Sequence, residues 1–583
     1  MATIADPQAP RALKDHRREW LPALLFTLTV AMSTAVVVLL AVVIWLSFID
    51  GTPGDRVLTY TVAHYAETFF NPFTYRVIAN TVLFSAITLG VALSIGLPLA
   101  WLIERTDLPG KRIVFTLLTM ALLIPAYAVA MGWVFLLNPR IGLINIALKQ
   151  LLGLDAAPFN ISTILGMGVV EGLSLAPVTF IMTAVVFRSM DASLEEAAAI
   201  SGANLGETLR RVTVPLAWPG VLAASIYVFT IGFAAFDVPA ILGVTNRIFT
   251  FSTYVYLQVN PTDGLPHYGG VAALSVFMLG LAVVFSWWYG WVQRRAPRYA
   301  VVTGKAYRPA MVRLGRFRWL ALAPIATYFL FAQALPILTL AWSAGLPFLQ
   351  PVSAESFANL SFANFRALPN GLIANGLRHT VSLMLLVPTI TVILSLAISW
   401  VVLRSRLRYR AIFDFFAFLP HTVPGIVFSV AAWLLALFVL RDVLPIYGTI
   451  WILVLVYVIA TVSYGTRMTN SALIQIHREL EESATMSGAR LFGIMRSVIV
   501  PLLGPAMMYS WIWIALLAYR ELTLPVVLST NTNQPLSVIV WSLVVSSSYG
   551  QGSAVAVTML ALMVPILALY WVVARRTGIA PSN

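Results

Sequence analysis

Long apolar runs separated by short polar segments dominate the pattern of hydrophobic and polar positions along the chain. Most runs match the roughly 20 apolar residues that an α-helix needs to cross a bilayer, and none has the alternation of a membrane-spanning β-strand. We therefore predict an all-α integral membrane protein with twelve transmembrane helices. The predicted spans are 21–49, 78–103, 113–137, 161–187, 218–243, 269–292, 319–343, 376–403, 411–440, 448–466, 502–528 and 552–574.

One polar segment, here called the island, occurs twice between apolar runs. Residues 194–215 read LEEAAAISGANLGETLRRVTVP, and residues 480–501 read LEESATMSGARLFGIMRSVIVP. Ser193 is the predicted N-cap of a short helix, Gly202 suits the left-handed position just past its end, and a second short helix is expected over 204–212. The recurring residues pair as Glu196 with Glu482, Ala198 with Ala484, Gly202 with Gly488 and Pro215 with Pro501.

The recurrence of the islands predicts contact with a partner outside the membrane. A helix–glycine–helix segment with alanines on one face could dock into a protein groove, where Glu196 and Glu482 would each offer a carboxylate to a basic residue of the partner. The alternative is a pair of amphipathic helices lying on the bilayer surface. That alternative does not explain why Glu, Gly and Pro recur at identical spacing.

The chain is predicted to be two six-helix repeats in parallel orientation, which gives a pseudo-two-fold axis along the membrane normal and a pathway between the repeats. The first repeat is 21–292 and the second is 319–576, joined by a basic linker at 293–318. Short tails at 1–20 and 577–583 complete the predicted organisation. A further match between the repeats aligns 123–125 (LIP) with 418–420 (FLP).

Composition supports a membrane protein, because 60% of the 583 residues are hydrophobic and only 10% are charged, against about 25% charged in ordinary soluble domains. The net charge of +14 lies mostly in short loops. With the N-terminus inside, the inner segments hold 28 of the 37 Lys and Arg residues, which predicts cytoplasmic termini and cytoplasmic islands. The basic linker is interpreted as lying on anionic lipid, so the lipid bilayer is a partner and nucleic acid is not.

The islands resemble the EAA loops in permease subunits of bacterial ABC importers of the type I class. The resemblance rests on Glu196-Ala197-Ala198, Gly202 and Pro215, and on the corresponding residues 482–484, 488 and 501, where Ser483 replaces the first Ala. It implies that each island couples to one subunit of a separate, homodimeric ABC ATPase, and that a periplasmic binding protein delivers the substrate. It also implies a bacterial inner-membrane location.

The chain itself contains no phosphate-binding G-x-x-x-x-G-K-[ST] loop. We therefore predict a transport subunit with no catalytic residues and no cofactor of its own, with ATP bound by the partner ATPase. It has no cysteines, and its six histidines show no pair at metal-ligand spacing, so no resident metal site is predicted.

Ionisable residues within spans are candidates for the translocation pathway, because a charge in the bilayer is costly. They are Asp237, Glu521, Glu171 and His421. Carboxylates suit a hard cation such as Fe(III). The alternatives are that Glu521 pairs with Arg520, that Asp237 caps a broken helix, and that Glu171 forms an interhelical hydrogen bond.

The stretches 236–243 (FDVPAILG) and 520–525 (RELTLP) resemble the fifth-span signatures of ferric-iron permeases. The leading prediction is thus a permease for ferric iron. The same machine could instead import thiamine, a polyamine or a phosphonate. A secondary transporter driven by an ion gradient would also explain two repeats, but it leaves the islands unexplained.

Overall fold

The computed structural model describes most of the chain as helix, and the described residues are 20–52, 55, 57–261, 264–295 and 312–576. The predicted basic tail up to residue 19, linker residues 296–311 and the tail from 577 lie outside these ranges.

The first repeat contains thirteen α-helices among its described residues, and a small antiparallel pair of strands, β1 (Ile49–Asp50) and β2 (Thr59–Tyr60), follows its first helix. The helices are α1 (Trp20–Leu46), α2 (Ala63–Phe70), α3 (Pro72–Arg105), α4 (Lys111–Ala121), α5 (Ala126–Leu137), α6 (Leu143–Leu152), α7 (Ile164–Ser189), α8 (Ala192–Ile200), α9 (Leu205–Thr208), α10 (Val214–Ala234), α11 (Asp237–Leu242), α12 (Phe251–Val259) and α13 (Tyr268–Arg295).

The second repeat follows a similar order of long and short helices, but among the described residues it has no counterpart of α6. Its described helices are α14 (Ala323–Phe329), α15 (Leu335–Ala344), α16 (Ala354–Ala358), α17 (Ala363–Arg366), α18 (Asn370–Arg404), α19 (Arg410–Phe418), α20 (Gly425–Leu434), α21 (Ile450–Ile474), α22 (Arg478–Met486), α23 (Leu491–Ile494), α24 (Val500–Arg520), α25 (Thr523–Leu528), α26 (Leu536–Val545) and α27 (Tyr549–Arg576). Each of the helices α7 to α11 starts 286 residues before its counterpart among α21 to α25.

Ten helical stretches within the described ranges are long and apolar enough to cross a membrane. Two further pairs of helices, α4 with α5 and α19 with α20, pass the same test together but are bent by 93° and 103°. The predicted twelve spans are reached when each bent pair counts as one span. The predicted spans at 113–137 and 411–440 are therefore not straight helices.

Prolines explain the position of both bends. Pro125 is the N-cap of α5, and Pro424 precedes Gly425, the first residue of α20. Proline lacks a backbone N–H and restricts the residue before it to extended conformations, so a helix entering either position stops. Pro125 thus corresponds to Pro424 at the same place in the second repeat, and the alignment of 123–125 with 418–420 is wrong.

The first long helix of each repeat packs against the opposite repeat. Helix α1 packs on α18 and α20, while α15 packs on α5. At the second contact, Thr339 donates a hydrogen bond to the carbonyl oxygen of Gly132 at 3.3 Å, and a Cβ on Gly132 would lie 2.2 Å from the carbonyl oxygen of Pro336. Each repeat thus packs its first long helix on the other repeat, and this exchange of helices joins the two repeats into one packed body with a shared apolar core.

Candidate functional site

The fifth span of each repeat is broken where its acidic candidate lies. Helix α10 stops at Ala234 and α11 starts at Asp237, while α24 stops at Arg520 and α25 starts at Thr523. The sequence predicted continuous spans over 218–243 and 502–528. The structure instead has continuous helix over Leu205–Ala234 and Leu491–Arg520, so both predicted spans were placed too far along the chain and both missed the break.

The alignment of the two breaks shows which residues correspond. Pro239 in α11 matches Pro525 in α25 at the spacing of 286 residues, so Asp237 corresponds to Thr523 and not to Glu521. These two residues meet, since Thr523 Oγ1 donates to Asp237 Oδ1 at 3.1 Å. Because equivalent residues of the two repeats touch each other, the pseudo-two-fold axis passes close to this hydrogen bond.

Glu521 is held at the second break by backbone contacts. The backbone N–H of Leu524 donates to Glu521 Oε1 at 3.1 Å, and Ser537 Oγ donates to the carbonyl oxygen of Glu521 at 2.7 Å. Its neighbour Arg520 donates to the carbonyl oxygen of Leu122, at the bend between α4 and α5. Among the ion pairs of the described residues, none within 4.0 Å joins Glu521 to Arg520, so the alternative of a direct ion pair is wrong.

Glu171 lies on α7 and is only 5% exposed. Its Oε2 atom has no hydrogen-bond partner among the described residues. The alternative of an interhelical hydrogen bond is thus not seen for this oxygen. A buried carboxylate oxygen without a partner is costly, so its position beside an open space requires an explanation.

That space is a cavity of about 350 Å³ between the repeats. All four predicted pathway residues line it, so the structure brings together side chains that lie as far apart as 171 and 521 in the sequence. Its polar lining consists of Glu171, Ser174, Asp237, Gln333, His421, Tyr457, Thr461, Tyr464, Arg520, Glu521 and Thr523. Both bends and both breaks contribute residues to the wall.

His421 closes one part of the wall within an aromatic cluster. Its ring stacks on Tyr227 with centroids 5.6 Å apart and meets Tyr464 edge-on at 5.3 Å. Phe418, which also contacts the His421 ring, lies under the guanidinium of Arg467 at 4.7 Å. Arg467 in turn pairs with Asp414 at 3.5 Å.

Several cavity residues were not predicted as pathway residues, above all Tyr457, Gln333 and Thr523. The hydroxyl oxygen of Tyr457 is buried and, among the described residues, has no hydrogen-bond partner. Thr523 could have been found by continuing the island alignment to Asp237. Tyr457 and Gln333 gave no such signal, because a tyrosine or glutamine in an apolar run is usual in buried helices.

The two islands adopt the predicted helix–glycine–helix form. Gly202 has a φ of 86° and Gly488 a φ of 85°, in the left-handed region that favours glycine. Each island then enters its span through a π-helical turn, Leu209–Thr213 or Met495–Ile499. Pro215 and Pro501 lie in the first turn of α10 and α24, where proline is tolerated.

The start of the first island differs from the prediction. Helix α8 begins one residue before Ser193, and its N-cap is Asp191, whose Oδ1 accepts from the Ser193 N–H at 2.9 Å. Ser193 is therefore not the N-cap. The capping box forms instead at α9, where Asn204 and Glu207 bond each other's backbone N–H groups. The helix predicted over 204–212 is an α-helix only to Thr208.

Adjacent glutamates in each island point in different directions. Glu196 and Glu482 are exposed. Glu195 lies 3.6 Å from Arg105, which is 1% exposed and also donates to the carbonyl oxygen of Met190 at 3.0 Å.

The second repeat builds the same anchor. Arg404 bonds Glu481 at 2.6 Å and donates to the carbonyl oxygens of Leu473 and Ile476. Each island is thus fixed to the end of the long helix α3 or α18 by an arginine. Ala198 and Ala484 are half-buried beneath the island, and Ala197 is exposed.

These features define a helical membrane permease made of two repeats. The family model for the binding-protein-dependent transport system inner membrane component matches residues 92–298 and 390–579, once in each repeat. Together the matches cover more than half of the chain, which therefore belongs to this family of ABC importer permeases.

Relatives similar over most of the chain include two ferric permeases. The Fe(3+)-transport system permease protein FbpB 2 of Haemophilus influenzae is 22% identical over 495 residues, which cover 84% of this chain and 88% of the relative. The ferric transport system permease protein FbpB of Actinobacillus pleuropneumoniae is 24% identical over 519 residues, covering 85% and 71%.

A crystal structure of a bacterial ABC transporter involved in import of the acidic polysaccharide alginate is also similar. It is 17% identical with a TM-score of 0.36, over 44% of this chain and 94% of that one.

Proposed function

We propose that this protein is the membrane subunit of an ATP-driven importer that carries ferric iron, delivered by a periplasmic binding protein, across the bacterial inner membrane. The observation that carries the proposal is the cavity between the repeats, where Glu171, Asp237 and Glu521 face one space. Three carboxylates in a membrane interior favour a cation over an anionic cargo. Their hard oxygen atoms suit Fe(III).

Similarity to the ferric permeases of two organisms, over more than four fifths of this chain, supports the same cargo. The maltose/maltodextrin permease MalF of Salmonella typhimurium, a relative named for another solute, matches 38% of the chain. The matches over most of the chain therefore support iron as the proposed cargo.

The islands provide the proposed connection to ATP hydrolysis. Each island would seat on one subunit of a homodimeric ABC ATPase in the cytoplasm, with exposed Glu196 and Glu482 pairing with basic residues of the ATPase. Ala197, Ala198, Ala484 and the two left-handed glycines would shape the docking surface. ATP binds the ATPase only, and both termini of the permease are cytoplasmic in this arrangement.

The test is uptake by proteoliposomes that contain the chain with its ATPase and a binding protein. Ferric iron, thiamine and a polyamine are compared, each with and without ATP inside the vesicles. ATP-dependent iron accumulation that requires the binding protein is the expected result. Accumulation of a different solute would overturn the cargo, and uptake driven by an ion gradient without ATP would overturn the class of transporter.

A further inference from the structure

Arg520 places a fixed positive charge in the wall of the cavity that Glu171, Asp237 and Glu521 also line. It is the last residue of α24 and is half-buried. Its guanidinium donates to the carbonyl oxygen of Leu122 in the opposite repeat. That bond holds the charge in the cavity wall rather than on a flexible side chain in water.

The charge of Arg520 acts on all three carboxylates. Arg520 lines the same cavity as Glu171, Asp237 and Glu521, and a charge acts over a longer range in a protein interior than in bulk water. Arg520 nevertheless forms no ion pair within 4.0 Å with any described residue. Its charge is therefore shared among the three acids and is not neutralised by one of them.

A transport cavity must release its cargo as well as bind it. Conduction requires binding that is favourable enough for entry and weak enough for exit. Attraction between a cation and the carboxylates grows with the charge of the cation, so three carboxylates alone would hold a trivalent ion strongly. Repulsion from a fixed guanidinium also grows with the charge of the cation. It therefore offsets the attraction by the largest amount for the most highly charged ions, which are the hardest to release.

We propose that Arg520 is a release residue, a tethered cation that competes with the cargo for Glu171, Asp237 and Glu521 and so limits how tightly the cavity holds a multivalent cation. The proposal rests on the proposed function, because it needs a cationic cargo. Arg520 acts here through its charge, while its hydrogen bond to Leu122 fixes its position.

Two variants separate the charge from the hydrogen bond. Arg520→Gln removes the charge and keeps a donor for the Leu122 carbonyl oxygen, whereas Arg520→Lys keeps the charge. The matched control is Arg378→Gln, which removes an exposed arginine from α18 that does not line the cavity. Size-exclusion chromatography with the ATPase shows whether each variant assembles.

Binding is measured with terbium(III) on the purified permease–ATPase complex in lipid nanodiscs. Terbium(III) is a hard trivalent cation whose luminescence is sensitised by nearby tyrosine, and Tyr457 and Tyr464 line the cavity. The cavity signal is the part that Asp237→Asn with Glu521→Gln removes. We expect Arg520→Gln to bind at least about tenfold more tightly, Arg520→Lys to lie within about threefold of the wild type, and Arg378→Gln to match the wild type.

Iron uptake gives the second measurement. We expect Arg520→Gln to lower both kcat and KM for uptake of binding-protein-delivered iron, because cargo is captured and released slowly. Unchanged or weaker terbium(III) binding by Arg520→Gln overturns the release role, as does an Arg520→Lys variant that behaves like Arg520→Gln. Those results leave the proposed function intact if the wild type imports iron. A wild type that imports no iron overturns both.

Discussion

Asp237 and Glu521 lie where a membrane helix stops and a shorter helix begins, and this position determines what their carboxylates contact. A break exposes backbone N–H groups that a continuous helix would use internally. The Leu524 N–H bonds Glu521 in this way, and Thr523 bonds Asp237. Each carboxylate is therefore bonded at its break and keeps further acceptor capacity that faces the cavity.

At this scale we predict that Asp237→Asn combined with Glu521→Gln lowers iron uptake at least about tenfold without lowering assembly. The amides keep an acceptor oxygen for Thr523 and Leu524, so the breaks keep their hydrogen bonds while the cavity loses two negative charges. Uptake by proteoliposomes and co-purification of the ATPase are the measurements. Asp442→Asn, an exposed acid in the loop after α20, is the control, and equal uptake by the double variant and this control would remove both acids from the pathway.

The sequence identified the four pathway candidates because ionisable residues within apolar runs are rare and conspicuous. It could not place them together, since Glu171 and His421 reach the cavity only through the packing of α7 and the bend beside α20. It also offered Asp237 and Glu521 as the acidic residues of the two fifth-span stretches, 236–243 and 520–525. The structure pairs Asp237 with Thr523, because each is the first residue of the short helix that follows its break, and α25 starts two residues after Glu521.

The islands are anchored elements whose two glutamates have different surroundings. Successive residues of a helix point about 100° apart, so Glu195 and Glu481 turn inward to Arg105 and Arg404 while the next residue in each island turns outward. Both glutamates recur in both islands. Recurrence alone therefore does not distinguish the glutamate that anchors the island from the glutamate that faces a partner.

For this element we predict opposite effects from neighbouring substitutions. Glu196→Lys with Glu482→Lys should leave thermal stability unchanged and abolish ATPase association and transport, because both side chains are exposed. Glu195→Gln with Glu481→Gln should instead destabilise the protein by about 1–3 kcal/mol per site, since each leaves a buried arginine without its carboxylate.

Thermal unfolding in detergent and pull-down of the ATPase measure the two effects separately. Full ATPase association and transport by the Glu196 and Glu482 variant would contradict the assignment of the islands to coupling. Unchanged stability of the Glu195 and Glu481 variant would contradict the anchoring role of the arginines. Asp442→Lys, at an exposed acid in the loop after α20 and outside both islands, controls for charge reversal alone.

At the scale of the whole molecule, hydropathy predicted the number of apolar runs but neither their bends nor their partners. A hydropathy pattern is one-dimensional, so a run interrupted by Pro125 or Pro424 still has the composition of a span. The hydropathy pattern also contains no information about which repeat a helix packs against. The packing of α1 and α15 on the opposite repeat depends on how closely the surfaces fit, and at Gly132 even an added Cβ would clash with the backbone of Pro336.

This exchange predicts that the two repeats assemble even when the covalent linker is cut. Coexpression of residues 1–304 and 305–583 as separate chains should give a complex that co-purifies and transports, because each half supplies a helix that completes the apolar core of the other. Gly132→Leu should weaken that complex by about 1–3 kcal/mol or more, since overpacking a close helix contact forces the backbones apart.

The control for the assembly experiment is Gly280→Leu, on α13, where an added Cβ meets nothing within 4 Å. Co-purification of the two halves is measured by affinity capture of one half, with increasing detergent to compare variants. Gly280→Leu should behave as the wild type, and Gly132→Leu should release the second half at lower detergent. If the wild-type halves insert but do not co-purify, the exchanged helices do not hold the repeats together and the linker must. If both glycine variants behave alike, the contact of α5 with α15 contributes little to assembly.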